Sequence, residues 1–215
     1  MDVDPGQLAN RLTRAFSAAS SAQTRPWLWR ALLKLLSQGR PVTTGDLADA
    51  TGRSEEEIRE ALTTLPDTEY DPVGRIVGSG ITLSPTPHRF TVDGRQLYTW
   101  CALDTLMFPT VLGRPAQVTS PCHTTGTPVR LTVEDDRIRD LEPATAVVSL
   151  VIPDDMTSVR SAFCNLVHFF ASAGAAAPWL AQHPQATAVR VEQALAVGRP
   201  LTTTFQDPDQ AGCCR

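Results

Sequence analysis

The apolar residues of this chain change their spacing part-way along, and that change constrains the fold more than any other feature. Up to about Leu62 they recur at helical intervals; from Arg89 onward they fall into short runs separated by turn residues. Leu8, Leu12 and Phe16 stand four apart, as on one face of a short amphipathic helix. Trp27, Leu28, Trp29, Leu32, Leu33, Leu35 and Leu36 are dense enough for a buried helix ending near Gly39. Between Pro41 and Leu62 the pattern is a short helix, a turn at Gly52 and a second helix. Ser54 and Glu57 are spaced for a capping box at the start of the second one. Leu47, Ile58 and Leu62 would face a small core, as in a helix-turn-helix. Asp71-Pro72-Val73-Gly74-Arg75 then reads as a turn between two β-like runs, the second being Ile76 to Leu83. Three helices and a hairpin predict a winged-helix-like domain over residues 1–83.

Residues 84–215 read differently. Asp93-Gly94 is a two-residue turn signal between Phe90-Thr91-Val92 and Gln96-Leu97-Tyr98. Residues 117–120, 129–133 and 146–152 read as strands, and Ala102 to Phe108 as a helix ending before Pro109. Ser158 to Ser172 suits helix and strand alike. Val191 to Val197 reads as a helix stopped by Gly198. The fold class is therefore α+β: a three-helix winged-helix-like N-terminal part packed on a mainly antiparallel β core with flanking helices, closed by a flexible C-terminal tail.

Charge narrows the function. The formal net charge is −4, and the candidate recognition helix carries Glu55, Glu56, Glu57 and Glu60 against Arg53 and Arg59. Phosphate backbones repel such a face, which disfavours nucleic acid as a partner. The sequence contains no apolar run long enough to span a bilayer. The acidic start, Met1-Asp2-Val3-Asp4-Pro5, lacks the basic region of a signal peptide. The expected compartment is the cytoplasm, where thiols stay reduced. The five cysteines, Cys101, Cys122, Cys164, Cys213 and Cys214, match no zinc or thioredoxin spacing.

Cys101 and Asp104 are three apart at the start of the helix expected after Trp100, so both would point into one space. A helix N-terminus lowers a thiol's pKa. Burial among Leu103, Leu106, Met107 and Phe108 would raise that of Asp104, which suits a proton carrier. Cys164 lies in the other strongly apolar stretch of this half. Two thiolates and one carboxylate in a dry pocket suit a soft metal of low coordination number better than zinc. Spacing alone equally allows two unrelated core cysteines and an Asp104 that caps a turn. His168, four residues after Cys164, reads as a hydrogen-bonded core histidine. His88, His123 and His183 point to nothing specific.

From about Gly39 to the last helix the chain resembles the organomercurial (alkylmercury) lyases of bacterial mercury resistance. The resemblance rests on Gly39-Arg40-Pro41-Val42, Thr68-Glu69-Tyr70-Asp71 and Arg95-Gln96-Leu97-Tyr98-Thr99-Trp100-Cys101-Ala102-Leu103-Asp104-Thr105-Leu106. Ser120-Pro121-Cys122, Thr125-Gly126-Thr127-Pro128-Val129, Ala146 to Pro153, Phe163-Cys164 and Val167 to Ser172 extend it. It implies that Cys101, Asp104 and Cys164 are catalytic and hold the mercury of substrate and product, and that Cys122 is structural. Asn165 departs from members with a second cysteine at that place. The implied reaction is protonolysis of a carbon–mercury bond, giving a hydrocarbon and Hg(II), with no organic cofactor. Trp100 and Phe163 would wall the pocket. External low-molecular-weight thiols would release the product, and mercuric reductase would be the downstream acceptor. The Cys213-Cys214 pair reads either as a frayed chain end or, by its resemblance to the terminal cysteine pair of that reductase, as a flexible dithiol that would accept Hg(II) from the pocket.

Two other readings compete. A thiol-based soft-metal sensor would join the winged helix to the cysteines but needs a basic DNA-reading face. A passive thiol chaperone would bind Hg(II) without needing Asp104 as a proton donor.

Overall fold

Each N-terminal helix begins where its sequence supplies a start signal. The computed structural model describes residues 4–20, 25–65, 67–153 and 158–204. Helix α1 (Pro5–Ser20) buries Leu8 and Leu12 and lays Phe16 against the core. Helix α2 (Pro26–Leu36) opens with proline at its first position, where the missing N–H costs nothing, and buries Leu28, Leu32, Leu33 and Leu36. Helices α3 (Thr44–Thr51) and α4 (Glu55–Leu62) both carry reciprocal capping boxes, Thr43 with Asp46 and Ser54 with Glu57. Each cap contributes about 1 kcal/mol. Gly52 ends α3 in the left-handed region at φ 67°.

Eight antiparallel strands follow in one sheet: β1 (Glu69–Tyr70), β2 (Ile76–Ser79), β3 (Ile81–Thr82), β4 (His88–Val92), β5 (Arg95–Thr99), β6 (Ala116–Pro121), β7 (Pro128–Glu134) and β8 (Arg137–Glu142). Their order is β1-β2-β3-β5-β4-β6-β7-β8. The hairpin after the helices is thus continuous with the sheet, through Ile81 opposite Thr99 and Thr82 opposite Tyr98. A second sheet sets β9 (Val147–Val151) between β10 (Phe169–Phe170) and β11 (Ala186–Arg190), again antiparallel. Helix α5 (Ala102–Leu112) is apolar nearly all round and therefore central, meeting the sheet, α2 and the long helix α8 (Val191–Thr204). Helix α1 packs on α8, which closes the N-terminal helices onto the sheet.

Several boundaries differ from the sequence expectation. Helix α5 does not stop before Pro109; it runs through it and ends at Gly113, φ 66°. Tertiary burial of this helix outweighs the hydrogen bond that proline removes. Helix α8 likewise passes through Gly198. That glycine serves packing: a Cβ there would sit 2.7 Å from Met107 Cγ of α5. Ser158 to Ser172 resolves into α6 (Val159–Ala162), a 3-10 turn (Cys164–Leu166) and β10, so both expectations hold in part. Strands β8 and β11 and helix α7 (Ala173–Gln182) had no strong sequence signal. Cys213 and Cys214 lie outside the described residues.

Candidate active site: two thiols and a carboxylate

The local chain path brings Cys101 and Asp104 together. Strand β5 ends at Thr99, and the Trp100 N–H donates to the Gly80 carbonyl at 3.0 Å. Cys101 then takes the N-cap position of α5 in extended conformation. The Cys101 N–H donates to Asp104 Oδ2 at 3.1 Å, and the Asp104 N–H donates to Cys101 Sγ at 3.4 Å. This is a capping box in which sulfur replaces the usual hydroxyl. The spacing of three residues is therefore both a helix start and a way to hold a thiol against a carboxylate.

Cys164 arrives from the 3-10 turn after α6. The Ala102 N–H donates to the Val167 carbonyl at 3.1 Å, which ties that turn to the start of α5. The two sulfurs and an Asp104 oxygen lie within 4.8 Å of one another. Cys101 is 0% exposed and Cys164 2%. All three sequence-selected residues are thus brought together, as donors of a kind that suits a soft metal.

Burial governs their ionisation. It pushes the Asp104 carboxyl up to about 7, against the hydrogen bonds from Cys101 and the Trp100 backbone. It also drives Cys101 well above its ordinary value, helped by the hydrogen bond to Cys164 and the nearby Asp104 charge. For Cys164 the hydrogen bond with Cys101 pulls downward, but burial and the Asp104 and Asp67 charges win and raise it. The sequence expectation of a thiol activated by a helix N-terminus is corrected here. The Asp104 amide does favour the thiolate, yet loss of water outweighs one amide in a site this dry.

An apolar cavity of about 100 Å³ opens onto Asp104 and Cys164. Trp100 and Phe163 line it as expected, joined by Phe16, Trp29, Met107 and Phe108. Phe16 meets Phe163 edge-on at 5.2 Å, and Trp29 meets Phe108 at 5.6 Å. The N-terminal helices therefore complete the wall of a pocket whose reactive groups lie in the second half.

Glu69 is a residue of the site that neither spacing nor composition singles out. Its carboxylate accepts from Trp100 Nε1 at 3.0 Å and from Thr82 Oγ1 at 2.5 Å, and it pairs with Arg160. Arg160 in turn lies over the Trp100 ring, 5.1 Å from its centre. One carboxylate thus grips the segments leading to both cysteines. Asp67 adds bonds from the Ser158 hydroxyl at 2.8 Å and the Arg160 N–H at 3.1 Å.

Cys122 lies apart from the trio, in a small core with Val147, Phe170, Ala176 and Trp179. The His168 ring stacks on His123 at 3.9 Å and meets Trp179 edge-on, and the His168 backbone N–H donates to Ser149 Oγ at 2.9 Å. His183 stacks on the other side of Trp179 at 4.0 Å, while buried His88 bonds Ser120 through Nδ1 at 2.9 Å.

Comparison with known proteins decides the family. The alkylmercury lyase profile matches residues 81–203, and the profile for the helix-turn-helix domain of alkylmercury lyase matches residues 7–80. The chain belongs to the alkylmercury lyase family. An alkylmercury lyase of Streptomyces lividans is 61% identical over 215 residues, the whole of both chains. One from Staphylococcus epidermidis is 55% identical over 195 residues, 90% of each chain, and one from Pseudomonas putida 44% over 196 residues, 91% of this chain and 92% of its own. A crystal structure described as the mercury-bound form of MerB2 superposes with TM-score 0.79, covering 92% of this chain and all of that one. At 24% identity it supports the fold alone. The helix-turn-helix of this lyase carries an acidic α4, with Glu55, Glu56 and Glu57 in its first turn. Among the described residues, no helix of the lyase is long and apolar enough to cross a membrane.

Proposed function

We propose that this alkylmercury lyase cleaves R–Hg–X by protonolysis, with Cys101 and Cys164 as mercury ligands and Asp104 as proton carrier. The observation that carries this reading is the clustering of the three donor atoms within 4.8 Å, with Asp104 and Cys164 at the wall of an apolar cavity and Cys101 buried behind them. The cavity takes the organic group R, whose transfer from water is favourable. Cys101 attacks mercury and gives its proton to Asp104, whose pKa near 7 lets it accept and release a proton at neutral pH. Cys164 binds as second sulfur, and its proton leaves with X as HX. Two thiolates push electron density toward carbon. The carbon–mercury bonding pair then takes the Asp104 proton, and R–H departs. Hg(II) remains on the two sulfurs, beside Asp104. The balance is R–Hg–X plus two thiols giving R–H, HX and a mercury dithiolate. The thiols' high pKa values fit this sequence, because a soft metal displaces the protons that burial retains.

Small external thiols take the product away, with a mercuric reductase as the further acceptor and the cytoplasm as the setting. A boundary near residue 83 separates a winged-helix-like cover from the residues that react. Hydrocarbon release tests the reading. Phenylmercury and methylmercury in excess thiol should give benzene and methane above a thiol-only blank, and Cys101→Ala and Cys164→Ala should abolish both. Asp104→Asn should lose turnover by about a hundredfold or more while still binding Hg(II). Full turnover by Asp104→Asn would reduce the protein to a passive binder.

A further inference from the structure

A second cavity reaches the same cysteine. It has a volume of about 560 Å³ and shares Trp100 and Cys164 with the apolar cavity as walls. Its other walls set His88, His123, Asn165, His168 and Arg160 among Pro85, Pro87 and Pro121. Cys164 thus borders a small apolar chamber and a larger one of mixed character that offers polar groups.

We infer that this larger cavity is the docking site of the small thiol that takes Hg(II) from Cys164. The inference rests on the proposed reading that protonolysis leaves Hg(II) on Cys101 and Cys164. A third sulfur must then approach a metal already held by two. The apolar chamber is a poor entrance for it, because a thiolate and the polar groups of its carrier lose their water there. The larger cavity, though partly apolar, offers ring nitrogens, an amide and the Arg160 guanidinium to such groups. Its volume falls within the roughly 300–1,000 Å³ of small-molecule sites, so a tripeptide-sized thiol fits. The two openings separate the reaction into steps: the organic group occupies one side of Cys164 and the acceptor the other. The exchange balances without oxidation. A sulfur–mercury bond forms to the incoming thiol, the bond to Cys164 breaks, and the incoming thiol's proton passes to the Cys164 thiolate. A second thiol frees Cys101 in the same way.

Asn165 and His123 are exposed on the cavity wall; bulk at 165 leaves the core undisturbed, and tryptophan at 123 keeps an aromatic ring against His168 and Trp179. The full chain is loaded directly with one equivalent of inorganic Hg(II). Transfer to 2-mercaptoethanol and to glutathione is then followed by quenched-flow separation of protein from small thiols, with the mercury left on the protein measured at each time. Asn165→Trp and His123→Trp should each keep one Hg(II) per chain yet transfer it about tenfold or more slowly, with the larger loss for glutathione. Asn165→Ala, which removes bulk, should transfer at least as fast as the parent. Wild-type transfer rates in the tryptophan variants, or a slower Asn165→Ala, would overturn the inference. Direct loading makes this outcome independent of carbon–mercury cleavage. A chain that releases hydrocarbon but transfers alike in every variant loses only the cavity. A chain that holds no Hg(II) on its two cysteines loses the underlying reading as well.

Discussion

Asp104 holds two roles that usually belong to different residues. It closes the capping box of α5 and stands beside two sulfurs as a buried acid. Its pKa gives a test that needs no substrate. The folded value, about 7, lies above the ordinary 3.8. Between these values the folded chain keeps a proton that the unfolded chain has released. Stability therefore falls as pH climbs from about 4 to 7 and levels off above, by an amount on the order of 4 kcal/mol. Asparagine at 104 keeps an acceptor for the Cys101 N–H but cannot ionise. Asp104→Asn should match the parent near pH 4 and exceed it at pH 8 in denaturant titrations. Equal stability at both pH values would mean that Asp104 is hydrated in the folded chain.

At the scale of elements, the β1–β3 hairpin is the fixture that holds the two cysteine segments. Glu69 needs room over the backbone to reach Trp100, Thr82 and Arg160, and Gly78 provides it, since a Cβ there would collide with the Glu69 carboxylate. Glu69→Ala should lower kcat/KM by roughly tenfold through misplacement of the trio. Glu69→Gln, which keeps an acceptor for Trp100 Nε1, should recover part of the loss. Identical kinetics in the parent and both variants would remove Glu69 from the positioning machinery. Gly80, at φ 87°, lies where a Cβ would approach Phe108 Cζ to 2.7 Å. Gly80→Ala should cost about 1–3 kcal/mol in thermal unfolding, from left-handed strain and overpacking together. These elements also explain what the sequence could reveal. Cys101 and Asp104 were legible because capping and chemistry share one helical turn. Cys164 was legible as a partner only through family resemblance, since nothing in its spacing joins it to Cys101. The roles of Glu69 and Arg160 are not legible in the sequence, because the two meet across 91 positions with no periodic signal. Pro109 and Gly198 look like stops because local propensity speaks first, and burial between α5 and α8 overrides it.

The whole molecule joins two halves around one dry site, with Phe16 of α1 and Trp29 of α2 facing residues of α5 and the Cys164 segment. Burial on this scale also holds histidines neutral. Loss of water lowers His88 to about 3 and His168 to about 4, helped by neighbouring histidines. Both values lie below the ordinary 6.5, so these groups favour the fold above that pH and lose the contribution as pH falls through 4 toward 3. The Asp104 contribution runs the opposite way over part of this range. Acid unfolding should therefore be steeper in Asp104→Asn than in the parent, and His88→Gln should flatten it, as circular dichroism against pH will record. The proposed mechanism turns on proton delivery from Asp104 to the carbon of a mercury-bound organic group. A single turnover of phenylmercury in heavy water, with the benzene analysed by mass spectrometry, reads that step. Benzene should carry one deuterium, formed by the parent and not by Asp104→Asn. Benzene without deuterium, or deuterated benzene at the parental rate from Asp104→Asn, would contradict the mechanism.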